Sequence, residues 1–245
     1  MVHKLAIAAI IGLSTSAVCL GAAAAIGGQE FGRNFDGLDF SMFGDKPRCE
    51  TVAGATANSR DLDWDGSDTL SLAVPATAQY SPSNDRKLHI TGDPQAIAHI
   101  RVRDGHIEMN CNGHWRFGDS DIAITLPGGE FKKFGIAGSG RLTLDNLDQE
   151  KLKVSIAGAG NIKANGKVGE ANIFIAGSGD ANLGEVAMRD AKIHIAGSGN
   201  TDIAATESAD VHIAGSGDVN LHANPKRLET HIAGSGRIHN VGTGG

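Results

Sequence analysis

From residue 134 to residue 240 the hydrophobic pattern is a series of short alternations, each broken by the same small-residue phrase. Apolar side chains stand at Phe134, Val154, Ile173, Ile193 and Val211, with Thr230 in the sixth place, and an Ile follows two positions after each. Gly135, Ser155, Phe174, His194, His212 and His231 lie between them. A period of two is the signature of a strand with one buried face. After the Ile comes Ala-Gly-Ser-Gly, with Ala159 once in place of Ser, and the alternation then resumes. Leu142/Leu144, Ile162/Ala164, Ala181/Leu183, Thr201/Ile203, Val219/Leu221 and Ile238/Asn240 read as inward. Arg141/Thr143, Asn161/Lys163, Asp180/Asn182, Asn200/Asp202, Asp218/Asn220 and Arg237/His239 read as outward. Each period therefore predicts two short strands joined at a glycine corner. The corner glycines are Gly138 and Gly140, Gly158 and Gly160, Gly177 and Gly179, Gly197 and Gly199, Gly215 and Gly217, and Gly234 and Gly236. All twelve are expected to supply backbone conformations that a Cβ would penalise. A helix is a poor reading, because each interior Gly costs about 1 kcal/mol against Ala. A third, looser stretch follows, with Leu147, Val168 and Val186 as its apolar positions.

The six phrases begin at Ile136, Ile156, Ile175, Ile195, Ile213 and Ile232, spaced by 20, 19, 20, 18 and 19 residues. A near-constant period of this length predicts a solenoid, each coil burying its apolar residues on those of its neighbours. The fold class expected is all-β, a single-stranded parallel β-helix of about 19 residues per coil, right-handed because parallel crossovers almost always are. The rival is a β-sandwich with regularly spaced strands, which would not ordinarily repeat one corner phrase six times.

Upstream, similar alternation without the phrase begins at Asp68. Strands are expected over residues 69–74, 76–80, 87–91, 97–102, 106–110 and 121–126. The whole of 68–240 is thus read as one β-helix, with degenerate coils over 68–133, regular coils over 134–240 and a Gly-rich tail at 241–245. About nine coils stepping about 4.8 Å each would give a rod about 40 Å long. Residues 26–67 are broken by Gly27-Gly28, Asp36-Gly37, Gly44-Asp45 and Asp65-Gly66. They read as an irregular lead-in and cap, which the exposed first coil of a β-helix requires.

Met1-Val2-His3-Lys4, an apolar run to Leu20 and the alanines at 22–25 have the three parts of a secretory signal peptide over residues 1–25. A bacterial protein exported to the periplasm, cell surface or medium is expected. An uncleaved anchor and a lipidated Cys19 are the alternatives, but the run is short for a span and Ser16-Ala17-Val18 is a poor lipidation signal. Without residues 1–25, which hold Lys4 and no acid, the net charge moves from −6 to −7. That balance argues against nucleic acid as a partner, and no later run is apolar enough to span a bilayer. Cys49 and Cys111 remain. In an oxidising compartment they are expected to form a disulfide, worth about 4 kcal/mol in the loop-entropy model. Their separation lacks the usual zinc-ligand spacing.

Three groups could carry chemistry. The Asn161/Asp180/Asn200/Asp218 and Lys163/Asn182/Asp202/Asn220 ladders could offer oxygens to Ca²⁺, but Asn and Asp also favour the residue after a glycine turn and bond along a stack. His194, His212 and His231 share one outward position and could hold a transition metal or respond to pH below about 6.5. Ladder side chains point in parallel, however, so exposed filler is the default reading. A polysaccharide-acting enzyme would need carboxylates with Lys or Arg in a groove, and sugar-binding grooves generally need aromatic platforms. Here aromatics are 4% of the chain, Trp64 and Trp115 lie outside the regular coils, and nothing places a base beside the serines at 139, 178, 198, 216 and 235. No catalytic residue, metal or cofactor is assigned.

The run Ile90-Thr91-Gly92-Asp93-Pro94, then Val102-Arg103-Asp104-Gly105-His106-Ile107, then Ile122-Ala123-Ile124-Thr125-Leu126-Pro127, then the Gly-Ser-Gly coils, resembles the putative auto-transporter adhesin head GIN domain over about residues 68–236. The resemblance implies an envelope-associated bacterial β-helix and brings no catalytic residues. No stretch reads as a translocator barrel. The expected function is non-enzymatic: adhesion, scaffolding or contact with a cell-surface or envelope component, with self-association through an exposed coil end.

Overall fold

The computed structural model describes residues 46–111 and 121–242. The signal-peptide reading of residues 1–25, Cys19, residues 26–45 of the proposed lead-in, Trp115 and the end of the Gly-rich tail lie outside the described residues. The chain runs β1 (Ser59–Asp63), β2 (Thr69–Ala73), β3 (Thr77–Tyr80), β4 (Lys87–Thr91), α1 (Pro94–Ala98), β5 (Ile100–Arg103), β6 (His106–Met109), β7 (Ala123–Thr125) and β8 (Lys133–Gly138). It continues as β9 (Arg141–Gly158), β10 (Asn161–Gly177), β11 (Asp180–Gly197), β12 (Thr201–Gly215), β13 (Val219–Leu221), β14 (Arg227–Gly234) and β15 (Ile238–Asn240).

From β8 onward each coil pairs in parallel with the next, and the alternation sets the register. Ile136, Ile156, Ile175, Ile195, Ile213 and Ile232 form one column. Phe134, Val154, Ile173, Ile193, Val211 and Thr230 form the column beside it. On the next side Leu142, Ile162, Ala181, Thr201, Val219 and Ile238 line up. These residues are buried in every coil but the last, and each large apolar side chain gains about 1.5–3 kcal/mol from burial. The result is a parallel β-solenoid of about five turns. The expectation of about nine coils counted upstream segments that do not each make a turn.

The corner phrase is explained by the stack, and the expectation for its glycines is corrected in half of the positions. The first glycine of each corner, as at Gly197 with a φ of +135°, holds a conformation in which an L side chain is strained. The second glycines, Gly140, Gly160, Gly179, Gly199, Gly217 and Gly236, do not adopt a positive φ and lie between strands. What excludes a side chain there is the closeness of the coil before. A Cβ at Gly140 would meet the Leu72 side chain and the Val74 carbonyl, and one at Gly160 would meet Ile136. At Gly217 it would strike the Gly199 carbonyl and Ile195, and at Gly236 the Gly217 carbonyl and Ile213. The two glycines of one corner are thus required for different reasons, one by conformation and one by crowding.

The third stretch is where unequal coil lengths are absorbed. Leu147 and Val186 both face Gly166, whereas Val168 faces Gln149 and Met188. In the shortest period Ile203 pairs with Leu183 while Ala204 pairs with Ala187, so three residues of β11 bulge without a partner in β12.

The upstream part departs from sequential stacking. β2 lies between β6 and β8, and β3 between β7 and β9, all in parallel. The chain therefore makes one rung, leaves it, builds the rung outside it, and returns to continue on the inner side. β4 joins β7 antiparallel, β1 joins β4 antiparallel, and β5 joins β6 antiparallel. The reading of 68–133 as degenerate coils in chain order is corrected accordingly, and so is the strand expected over 97–102. Asp93 caps α1 there, its carboxylate accepting from the Gln95 and Ala96 amides, with Pro94 opening the helix.

Three sets of contacts fasten this end. Cys49 and Cys111 form the expected disulfide. The Glu108 carboxylate accepts from Lys46 Nζ and the Arg101 guanidinium, each at 2.8 Å. The Arg60 guanidinium donates to the carbonyls of Ile97, Ala98 and Ile100, which closes the C-terminal end of α1.

Candidate functional site

One side of the solenoid is a polar groove of about 710 Å³, lined by the outward residues that follow each glycine corner. Its first ladder is Asn161, Asp180, Asn200 and Asp218, between Arg141 and Arg237. Asp180 Oδ1 accepts from the Asn200 amide N–H at 2.9 Å, Asn200 Oδ1 from the Asp218 N–H at 3.0 Å, and Asp218 Oδ1 from the Arg237 N–H at 2.8 Å. Each side chain thus caps a backbone donor one coil on, as Asn and Asp are suited to do. In the second ladder Asp202 Oδ1 accepts from Asn220 Nδ2 and lies 3.0 Å from His222 Nε2, and Lys163 pairs with Glu185 at 3.1 Å.

These carboxylates are occupied in holding coils together, an arrangement that suits neither a general acid–base pair nor an open calcium site. Asn161 and Asn182 differ: their side-chain amides make no hydrogen bond among the described residues. With Thr143, they are the groove's free neutral hydrogen-bonding groups.

The histidine column sits on the adjacent side. His194, His212 and His231 stack with ring centroids 4.8 and 4.7 Å apart and interplanar angles of 17° and 23°. Phe174 continues the pile, 5.1 Å from His194 and nearly parallel to it. Ring nitrogen lone pairs lie in the ring planes, so nearly parallel stacked rings do not converge on one ion. His212 Nε2 lies 3.0 Å from Asp210, and His231 Nε2 lies 3.2 Å from Glu229.

The reading of these positions as exposed filler is corrected at one end of the column. His194 is 3% exposed, Phe174 1% and Ser155 6%. Phe174 and Ala137 form a second small apolar cluster, flanked by Ala73, Ala157, Ala176 and Ala196. Alternation along a strand tells which face a side chain takes. It does not tell whether the outer face is also buried, and the alanines of the repeated phrase were the only sign that this face could pack.

His99, Cys49 and Cys111 form the one cluster of metal-ligand types found among the described residues. The two sulfurs are joined to each other, and the His99 nitrogens lie 3.0 Å from Asn110 Oδ1 and 2.9 Å from the Glu50 carbonyl. The cluster is structural in this state. Sequence reasoning missed His99, because its neighbourhood is made by the disulfide and α1 together.

The fold and these surfaces agree with what the chain is similar to. Residues 68–225 match the family described as putative auto-transporter adhesin, head GIN domain. The chain belongs to this family. The GIN-domain solenoid also resembles a putative adhesin from Bacteroides fragilis, with a TM-score of 0.60 at 20% identity, over 81% of this chain and 100% of that one. A second putative adhesin, from Parabacteroides distasonis, is similar with a TM-score of 0.50 at 15% identity, over 80% of this chain and 100% of that one. At such identities the likeness shows the fold. No curated protein matches this sequence. The family and these relatives are named as adhesins and not as enzymes. No helix among the described residues is long and apolar enough to cross a membrane.

Proposed function

We propose that this GIN-domain protein is an exported, non-enzymatic adhesin whose polar groove holds a neutral cell-surface polysaccharide along the solenoid axis. The observation that carries the reading is the pair of free amides at Asn161 and Asn182, presented in a groove that crosses several coils. Primary amides donate and accept, which matches the hydroxyl groups of a sugar polymer. Asn161 and Asn182 stand on neighbouring coils, so neighbouring sugar units of a polymer lying along the axis can each meet one of them. Individual contacts of this kind are weak, and attachment grows by engaging many of them at once. The groove has no aromatic platform among the described residues, so attachment would rest on hydrogen bonds, and its acids are engaged with backbone amides and neighbouring side chains. Retention without turnover fits that chemistry.

The test is binding of the full chain to immobilised neutral polysaccharides, a glucan, a galactan and a mannan, by interferometry. Binding to at least one is expected, with Asn161→Ala/Asn182→Ala weakening it about tenfold while the melting curve is unchanged. Failure to bind all three, or equal binding by the double variant, would sink the proposal.

A further inference from the structure

The two ends of the solenoid are finished differently. At the upstream end β6 and β7 are followed by the antiparallel strands β5, β4 and β1, so the parallel ladder is closed off. At the downstream end β14 has one neighbour among the described residues, β12, and all eight of its residues are exposed. The columns that are sealed one coil earlier at Ala209, Val211 and Ile213 end here in Leu228, Thr230 and Ile232. Leu228 is 45% exposed, Ile232 43% and Val241 49%, three of the four large apolar side chains that stand exposed among the described residues.

An edge strand with an apolar row and free backbone groups is a template for pairing. Head-to-tail stacking that continues the parallel coils would need a matching coil at the other end, which finishes instead in two antiparallel edge strands, β5 and β1. Two-fold pairing of the open end with itself has no such obstacle, because it uses one surface twice. The sequence of β14 fits this symmetry. Around Thr230 it reads Leu228, Glu229, Thr230, His231, Ile232, a palindrome in chemical character. Antiparallel pairing centred on Thr230 sets Leu228 opposite Ile232 of the second copy, on the inward side. It sets Glu229 opposite His231 on the outward side. Both are favourable cross-strand pairs. Shifting the register by one residue would put apolar side chains on the polar side.

We infer that the downstream end is a homodimer interface in which β14 pairs antiparallel with β14 of a second copy about Thr230. The dimer is then two solenoids end to end, with a continuous sheet across the junction. The inference does not depend on what the groove binds.

The test uses the full chain in sedimentation velocity across a concentration series, with circular dichroism to confirm folding. A reversible dimer is expected at or below about 100 µM. His231→Glu sets Glu against Glu and should weaken the dimer about tenfold or more, and adding Glu229→Lys should restore it to within about threefold. Because position 230 meets itself, Thr230→Cys should give an intermolecular disulfide between the two copies under mild oxidation. Leu228→Cys, which faces Ile232, should not link to itself. A chain that stays monomeric at about 100 µM, that forms open-ended fibres, that ignores both charge changes, or that crosslinks through Leu228→Cys and not Thr230→Cys would overturn the inference.

Discussion

The regular stack from β8 to β15 and the upstream end from Lys46 to β7 solve one problem, covering a parallel ladder, by opposite means. In the stack every contact is repeated: one Ile on another, one glycine corner on another, one Asx side chain on the amide of the next coil. Stability there is a sum of near-identical interfaces between neighbours. The upstream end has hardly any repetition. It is held by individual, long-range contacts, among them Cys49 with Cys111, Lys46 and Arg101 with Glu108, and Arg60 with the end of α1. A repeat resists an added atom wherever one corner stacks on another, as at Gly197 and Gly217. A cap tolerates change at many places and depends on a few bonds.

The largest effect that would sharpen this contrast is at the disulfide. Cys49→Ser/Cys111→Ser should destabilise the upstream end by about 4 kcal/mol, from the entropy of the loop it closes. Denaturant titration followed by the fluorescence of Trp64, in a Trp115→Phe background, should show an early transition, with the stack's circular dichroism lost later. A single coincident transition would mean that the two regions are not held separately.

Next comes the pair Gly138→Ala and Gly197→Ala, the same corner position in two settings. Both need a positive φ, at +113° and +135°. A Cβ at Gly138 meets nothing within 4 Å, whereas at Gly197 it strikes the Gly177 carbonyl. The expected losses are about 1 kcal/mol at Gly138, from backbone strain, and about 3 kcal/mol at Gly197, where overpacking adds to it. Equal losses, read from melting curves of the two variants, would show that conformation alone decides the corner.

Below the loss at Gly197 comes the effect at Glu108. Burial pushes its carboxyl up, but the hydrogen bonds and charges of Lys46 and Arg101 outweigh that and hold it below the usual glutamate range. A depressed folded value means stability that is present above the ordinary value of about 4.3 and is lost as pH falls through the folded value. Glu108→Gln should cost about 2 kcal/mol at neutral pH, and the difference from the parent should shrink in acid. A pH-independent gap between the two melting profiles would contradict this assignment.

Much of the stack was legible because its information is local. The spacing of Ile136 to Ile232 carries period, register and corner together, and the bounds of β4 coincide with the run 87–91. The different duties of the two glycines in a corner were not legible, because Gly160 and Gly217 are excluded from bearing a side chain by the coil before them and not by their own backbone. Nor was the upstream order, since the alternation in β2, β6 and β8 is of one kind and only long-range pairing says which lies between the others. Helix α1 had a local signal in Asp93-Pro94, but its apolar residues also suit a strand, and five residues give no period to decide between them. The groove's free amides were visible as part of a ladder. Their difference from Asp180 or Asn200 depends on which backbone donor each side chain reaches. The burial of His194 is a property of the outer face as a whole and leaves no trace in the alternation.

The most direct measurement on the central claim is a map of polysaccharide contact by NMR of the labelled full chain, following the side-chain amides of Asn161, Asn182 and Asn220. Selective shifts of these groove amides on addition of a bound glycan oligomer, with the Trp64 indole and the His231 ring unmoved, are the predicted result. Shifts confined to the histidine column or the upstream end, with the groove amides silent, would contradict it.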